Sequence, residues 1–372
     1  MEKLVFVFNI FFILIAVMAF FRIIRYYSAR VAKLNLEDPE HNCKVSVIIP
    51  CRNEEKRLKY LLESLRKQTY KDFEVIVVDD DSVDRTVEVA KSYGSRVISR
   101  KEVFPDWEGK SAACYAGAIN ASGEILLFLD ADVMLEEEAL EYLLRYFRSD
   151  SVVSCQPYHY IERLYENLSL IPNIIAIVAL RAGKQNKPFS TDNGLYGPCI
   201  MITKDLYLET GGHKLVAKSI IEDVDLGIKL SKMGIPITII PHNNLIKFRM
   251  YPEGIRYLFD GWSKNMALGA SVTKPIELLM ITSVIASSLG TFHSLIMSII
   301  QRDVFLASLY SGFYLVLGYL IFFTSRKIGS FSPLVILFHY IITIFFCIVF
   351  VRSVLLKVTR SKIYWRGREV QL

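Results

Sequence analysis

Cysteine is scarce and widely spaced in this sequence: six residues in 372, at positions 43, 51, 114, 155, 199 and 347, without C-x-x-C spacing or a zinc-like cluster. That spacing argues against a disulfide framework or a zinc-built fold and implies reduced, mostly buried thiols in a cytoplasmic setting. A P-loop is missing too. Gly109-Lys110-Ser111 supplies a lysine and a hydroxyl but lacks the upstream glycine spacing. No small-residue cleavage site follows the apolar run Leu4 to Phe21, so the run reads as an uncleaved anchor rather than a signal peptide. The net charge of +6 is not spread evenly along the chain. Much of the excess sits beside apolar segments, at Arg22 to Lys44 and Arg352 to Arg368, which implies anionic lipid headgroups as partners and no nucleic acid.

What is abundant is apolar surface. At 52% hydrophobic residues the chain is too apolar for an ordinary soluble protein. The run at Leu4 to Phe21 is long enough to span a bilayer, and three more lie near the other end, at Ile276 to Ile300, Val304 to Thr324 and Pro333 to Val351. Four regions are expected: residues 1–36, an anchor with a basic linker; 37–275, a globular domain; 276–351, two or three membrane helices; 352–372, a basic tail. Arg22, Arg25, Arg30 and Lys33 place the domain in the cytoplasm, on a multi-pass protein of the cell membrane. Three complete crossings after Pro275 would put the basic tail outside, against the same rule. One stretch is therefore expected not to cross, and the first is a candidate because it carries Glu277 and His293.

The central block alternates strand and helix, and its continuous Val/Ile runs argue for a parallel sheet covered on both faces. Strands are expected at Val45 to Pro50, Phe73 to Val78 and Ile125 to Leu129, and helices from Leu58, from Asp84 and from Gly109. Ligands of such sheets bind at the carboxyl ends of the strands. There the sequence places Asp79-Asp80-Asp81 and Asp130-Ala131-Asp132. Residues i and i+2 of a strand share a face, so Asp130 and Asp132 suit one hard cation holding phosphate oxygens.

Each of these features also has a plainer reading. Asp81 or Ser82 serves equally well as a helix cap, and Lys110 as a solvated lysine rather than a phosphate ligand. Glu222 and Asp223, ahead of an apolar helical pattern, suit a general base or an acidic helix N-terminus. His213 and His242 are more often satisfied core or surface histidines than ligands. Leu164 to Leu180 reads as an interfacial helix opening toward the bilayer, with a buried core helix as the alternative.

Taken together, Val45-Ser46-Val47-Ile48-Ile49-Pro50 with Arg52-Asn53-Glu54-Glu55, Val77 to Thr86, Gly109-Lys110-Ser111-Ala112, Leu129-Asp130-Ala131-Asp132 and Glu222-Asp223 resemble the family 2 glycosyltransferases, over roughly residues 44 to 265. The resemblance implies an α/β GT-A domain, Rossmann-like, joined to transmembrane helices, and inverting transfer from a nucleotide-diphospho-sugar with Mn²⁺ or Mg²⁺. It assigns Pro50 and Glu54 to the nucleotide pocket and Asp80, beside Asp81, to the base. Asp130 and Asp132 go to ribose and metal, Lys110 to the diphosphate, and Asp223, next to Glu222, to the catalytic base. Many membrane-bound members carry Q-x-x-R-W; here Gly261 precedes Trp262, so Lys264 is expected to replace the arginine. Trp262 either lines the acceptor site or is an interfacial tryptophan. Asp106-Trp107-Glu108-Gly109-Lys110 and Met250-Tyr251-Pro252-Glu253-Gly254 bring the chain nearest the carotenoid-acid (diaponeurosporenoate) glycosyltransferase subgroup.

The expected activity is transfer of a single hexose, with UDP-glucose as donor, to a membrane lipid such as a carotenoid or other isoprenoid. Its rivals are a polyprenyl-phosphate or sphingolipid sugar transferase, a polysaccharide synthase, and a non-catalytic scaffold that binds nucleotide sugar.

Overall fold

The computed structural model describes residues 2–28, 43–180, 194–365 and 367–371. Arg30 and Lys33 of the basic linker, the expected boundary at 36/37, and Arg366 of the tail lie outside them. The strands are β1 (Val45–Cys51), β2 (Phe73–Asp79), β3 (Arg96–Ser99), β4 (Ile125–Leu129), β5 (Val133–Leu135), β6 (Val152–Cys155), β7 (Tyr158–His159), β8 (Cys199–Thr203), β9 (Ile237–Ile240) and β10 (Ile246–Phe248), with a terminal hairpin of β11 (Lys362–Trp365) and β12 (Arg368–Gln371). The helices are α1 (Glu2–Ser28), α2 (Glu55–Arg66), α3 (Thr86–Ser92), α4 (Arg100–Val103), α5 (Lys110–Asn120), α6 (Ala139–Leu144), α7 (Leu170–Ala179), α8 (Lys204–Glu209), α9 (Glu222–Lys232), α10 (Ile255–Val272), α11 (Pro275–Ile300), α12 (Val304–Ile328) and α13 (Val335–Val358).

Seven strands form the main sheet in the order β3-β2-β1-β4-β8-β6-β9. The fully parallel sheet expected from the Val/Ile runs holds for β1 to β4. β8, however, runs antiparallel to both β4 and β6. The reason is connectivity, since β8 follows the long excursion through α7 rather than a crossover helix. A buried strand reads as an apolar run in either direction. β1 is central and apolar on both faces, Val47 and Ile49 packing against α2 and Ile48 against α5. Its Pro50 has no N–H to donate, and it sits beyond the last residue paired with β4, where one flank of the ladder has already ended.

α2, α3 and α6 cover one face of the sheet, while α5, α8 and α9 cover the other. α5 approaches unusually closely because Gly117 faces the sheet. A Cβ there would overlap the Ile48 side chain and crowd Val78. A third apolar cluster joins α7 to α1, α11, α12 and α13. α7 is thus a buried helix, not the interfacial one expected between Leu164 and Leu180. Leu170, Ile171, Ile174 and Ile177 are inaccessible, so its apolar face is spent on neighbouring helices.

Among the described residues four helices, α1 from Val5 together with α11, α12 and α13, are long and apolar enough to cross a membrane. α1 and α11 are tied by Asn9 donating to Ser294 at 2.9 Å and, near the domain, by Arg22 beside Glu277 at 3.6 Å.

Replacing Gly117 by valine is expected to cost about 1–3 kcal/mol through overpacking against β1 and β2. It should appear as a lowered melting temperature in detergent. Gly312→Ala, in open space on α12, should melt at or above wild type. Equal losses would mean that close approach is not what requires glycine at 117.

Candidate active site

β1, β2 and β4 are parallel neighbours, so their carboxyl ends share one edge of the sheet. The two loops that leave β1 and β2 are knitted together there. Asn53, in the left-handed region at φ 55°, donates its N–H to Ser82 Oγ, and its Oδ1 accepts from the Val83 N–H. The Asp84 carboxylate accepts from the N–H groups of both Glu55 and Thr86, capping α2 and α3 at once. Arg52 donates to the carbonyls of Asp80 and Asp81 at 2.5 and 2.9 Å.

The two expected donor-site aspartates are placed differently. Asp80 is buried. Its Oδ1 accepts from Arg100 Nε at 2.7 Å and its Oδ2 from the Gly109 N–H at 3.2 Å, so it braces the turn that starts α5 as well as lining the cleft. Gly109 has φ 93°, a conformation that costs a non-glycine residue. Asp81 points away. It is more than half exposed beside Arg52 and does not line the cleft.

The turn at Gly109 delivers Lys110 to the centre of the acids. Its Nζ lies 2.9 Å from Asp130, 3.0 Å from Asp223 and 3.6 Å from Glu222. Burial opposes the ammonium charge, but the three carboxylates overcome it and hold its pKa well above the usual lysine range. Asp223 stands at the first turn of α9 with Oδ2 on Lys110, while its buried Oδ1 has no hydrogen-bond partner among the described residues. The chain makes room for that carboxylate with Gly197, where a Cβ would overlap it. Glu222 is pushed up to about 7 by burial and by Asp223 beside it, with Lys110 and Lys264 pulling the other way.

Arg57 was not singled out from sequence. It is buried on α2, 4.0 Å from Asp132 and 3.6 Å from Glu54, and it hydrogen-bonds Glu253 of the segment before α10. A signal was present. Arg57 lies four residues before Leu61, on the stripe that faces the core, where an arginine needs partners. Arg100 was missed in the same way, and its partner is Asp80.

Trp262 is buried, not interfacial. Its Nε1 donates to Ser169 Oγ at 3.0 Å, its ring meets Tyr251 edge-on, and it lines the cleft. Gly261 is explained by the same contact, because a Cβ there would overlap the Tyr251 ring. Lys264 lines the cleft and acts electrostatically on Glu222. Both histidines are structural. His213 is hydrogen-bonded to Tyr207 and packed on Phe128, and burial lowers its pKa to about 3. His242 bonds the Lys327 carbonyl and accepts from the Asn244 N–H, with burial lowering it to about 4.

These residues line one end of a cleft of about 940 Å³. Pro50, Glu54, Asp80, Lys110, Asp130, Asp132, Glu222 and Asp223 surround its polar end, and Ile281, Ile285, Phe346 and Phe350 its apolar end between the long helices. No group of three or more acidic, histidine or cysteine ligands gathers on one point among the described residues. Asp130 and Asp132 remain as two carboxylates that could hold a hard cation. Two are enough for Mg²⁺ or Mn²⁺, because such ions take their other ligands from phosphate and water.

A nucleotide-diphospho-sugar transferase of GT-A type is the class that this sheet and this acidic edge define. The family model "Glycosyl transferase family 2" matches residues 46–210. The 4,4'-diaponeurosporenoate glycosyltransferases of Staphylococcus aureus strains USA300 and MRSA252 are each 33% identical over 336 residues, covering 88% of this chain and 88% of theirs. A mannosyltransferase from Pyrobaculum calidifontis, solved with GDP-Man and Mn²⁺, shares the fold at a TM-score of 0.60 and 15% identity, over 95% of this chain and 98% of that one. The chain belongs to the family 2 glycosyltransferases, and within them it is of the carotenoid-acid glycosyltransferase type.

The raised Glu222 pKa makes a stability prediction with a definite sign. A carboxyl whose pKa is higher folded than unfolded favours folding fully below the unfolded value, and that contribution is lost as pH rises through about 7. Glu222→Gln should therefore melt above wild type at pH 8 and level with it near pH 4. A variant that melts below wild type at pH 8 would mean that the ionised carboxylate stabilises this site.

Proposed function

We propose that this protein is an inverting glycosyltransferase that moves one hexose, glucose from UDP-glucose, to a membrane lipid, with a carotenoid acid or another isoprenoid as acceptor. The observation that carries the reading is the single cleft that joins a phosphate- and sugar-type polar end to an apolar end among membrane helices. A soluble acceptor has no use for the second half of that cleft. The S. aureus relatives are named for a carotenoid acid, and they support the same acceptor class.

In this reading Pro50 and Glu54 shape the nucleotide pocket, Asp80 and Asp130 serve base and ribose, and Asp130 and Asp132 hold Mn²⁺ or Mg²⁺. Bound there, the metal ion would supply charge stabilisation for the leaving nucleoside diphosphate. Lys110 turns from the acids to the diphosphate when donor arrives, which frees Asp223. Asp223 then takes the proton of an acceptor hydroxyl, or positions an acceptor carboxylate that arrives already ionised, through Oδ1, which has no hydrogen-bond partner among the described residues. Attack from the face opposite the diphosphate inverts the anomeric carbon. Trp262 lines the acceptor side, and Lys264 supports the developing negative charge. The domain faces the cytoplasm, where nucleotide sugars are made, on a multi-pass protein of the cell membrane.

Membranes carrying the wild-type chain should transfer radiolabelled glucose from UDP-glucose to a discrete lipid. Asp132→Ala and Asp223→Ala should each lower that transfer by roughly 10²–10⁴-fold. Chelation of divalent ions should abolish it, with Mn²⁺ restoring it. Label that appears only with another nucleotide sugar would correct the donor; label in a polymer would overturn the lipid acceptor.

A further inference from the structure

The charge pattern of the sequence favours an arrangement in which one of the three C-terminal apolar stretches does not cross. The structure moves that role from the first stretch to the last. Glu277, the residue that made α11 suspect, lies beside Arg22 of α1, and α11 runs alongside both α1 and α12. α13 behaves differently. The segment leading into it is fastened to the polar domain: the Ser330 N–H donates to the His159 carbonyl at 2.9 Å, and the Ser332 N–H donates to Asn167 Oδ1 at 2.7 Å. Its far end is fastened to α10, which follows directly from the domain. Arg352 pairs with Asp260 at 2.6 Å, and Ser353 Oγ accepts from the Ala267 N–H at 2.9 Å.

We infer that α13 enters and leaves on the domain's own side of the membrane and forms the wall through which an apolar acceptor reaches the cleft. A helix of this length spans about 36 Å, enough to cross a bilayer, but one held at both ends by the same domain runs obliquely along it. The two faces of α13 agree with that placement. Leu337, Ile341, Ile344, Ile348, Val351 and Leu355 are exposed among the described residues, a continuous apolar stripe that suits the acyl chains of the adjacent leaflet. The inner face carries Phe346 and Phe350, which line the apolar end of the cleft opposite Ile281 and Ile285 of α11. With α13 returning, Lys357 and Arg360 stay on the domain's side, and the positive-inside conflict disappears. α1, α11 and α12 then make three crossings. Acceptor entry at α13 rests on the lipid-acceptor reading above; the path of the helix does not.

Single cysteines test the path directly. In a Cys43→Ser, Cys347→Ser background the four remaining cysteines are buried. Sealed vesicles carrying Glu63→Cys, Arg302→Cys or Thr359→Cys would be treated with a membrane-impermeant maleimide. Glu63 marks the domain, Arg302 the turn between α11 and α12, and Thr359 the end of α13. Thr359→Cys should label from the same side as Glu63→Cys, and Arg302→Cys from the opposite side. Labelling of Thr359→Cys together with Arg302→Cys would overturn the inference. For acceptor entry, Phe350→Ala should raise the apparent KM for the lipid acceptor roughly tenfold while nucleotide affinity, which reports an intact domain, stays at wild type. Ile281→Ala repeats the test from the opposite wall. An unchanged KM in both variants would overturn entry at α13 and leave the labelling result standing, whereas a wild-type chain that glycosylates no lipid at all would count against the function proposed above.

Discussion

The ammonium group of Lys110 is the contact on which the rest of the site depends. Asp130, Glu222 and Asp223 come from the end of β4 and the start of α9, and without a cation among them they would repel. At about 4 Å such a pair costs on the order of 4 kcal/mol at the effective dielectric of a protein surface. Lys110 replaces that repulsion with three attractions. Its position is in turn fixed from behind, because Asp80 holds the Gly109 N–H and Arg100 holds Asp80. A chain of charge therefore runs from a buried arginine at α4, through the β2 loop, to the acidic edge of the sheet. The motifs that look separate in the sequence form one connected set of charges in space.

Arg57 plays the matching part on the other side of the D-x-D. The two aspartates of the motif thus face different cations, Asp130 the lysine of α5 and Asp132 the arginine of α2. Arg57 also bonds Glu253, just ahead of α10, and α10 carries Trp262 and Lys264 into the wall of the cleft. One guanidinium accordingly links the D-x-D turn to the segment ahead of α10. A deeply placed arginine with three acidic neighbours keeps its charge under all ordinary conditions, so this link acts as a fixed brace.

How far the sequence revealed this architecture depends on the range of the interaction. β1, β2, β4 and the helices after them were legible, because apolar runs and helical spacing are local signals and the acidic clusters mark strand ends. The direction of β8 was not, since burial on both faces erases the pattern that distinguishes parallel from antiparallel neighbours. α7 was misjudged for a related reason. Its Pro172 and Asn173 suggested a helix near water, whereas the Asn173 side chain is satisfied within the protein, by His159 and by the Ser169 carbonyl. Arg57 and Arg100 were overlooked because a buried cation acquires meaning only with its partners, and Glu253 lies 196 residues from Arg57. The histidines went the other way: their bland reading held, with His213 bonded to Tyr207 and His242 to the Lys327 carbonyl.

The placement of α7 explains why a membrane-bound enzyme would interrupt its own catalytic domain with an apolar helix. α7 follows β7 and precedes the strand that pairs with β4, so one end of its segment is tied to the sheet that positions the acids. Ser169, at its N-terminal edge, anchors Trp262, and its body packs on α1, α11 and α13. Arg22 of α1 donates to the Val178 carbonyl at its C-terminal end, satisfying a group that the helix itself leaves open. The cleft is thus built by sheet and membrane helices together, with Ile175 and Ala179 of α7 in its wall. A soluble fragment lacking α1 and the C-terminal helices would expose the apolar faces of α7 and α10. It would keep the acidic residues at the sheet edge and lose the apolar wall that Ile281, Ile285, Phe346 and Phe350 give the cleft.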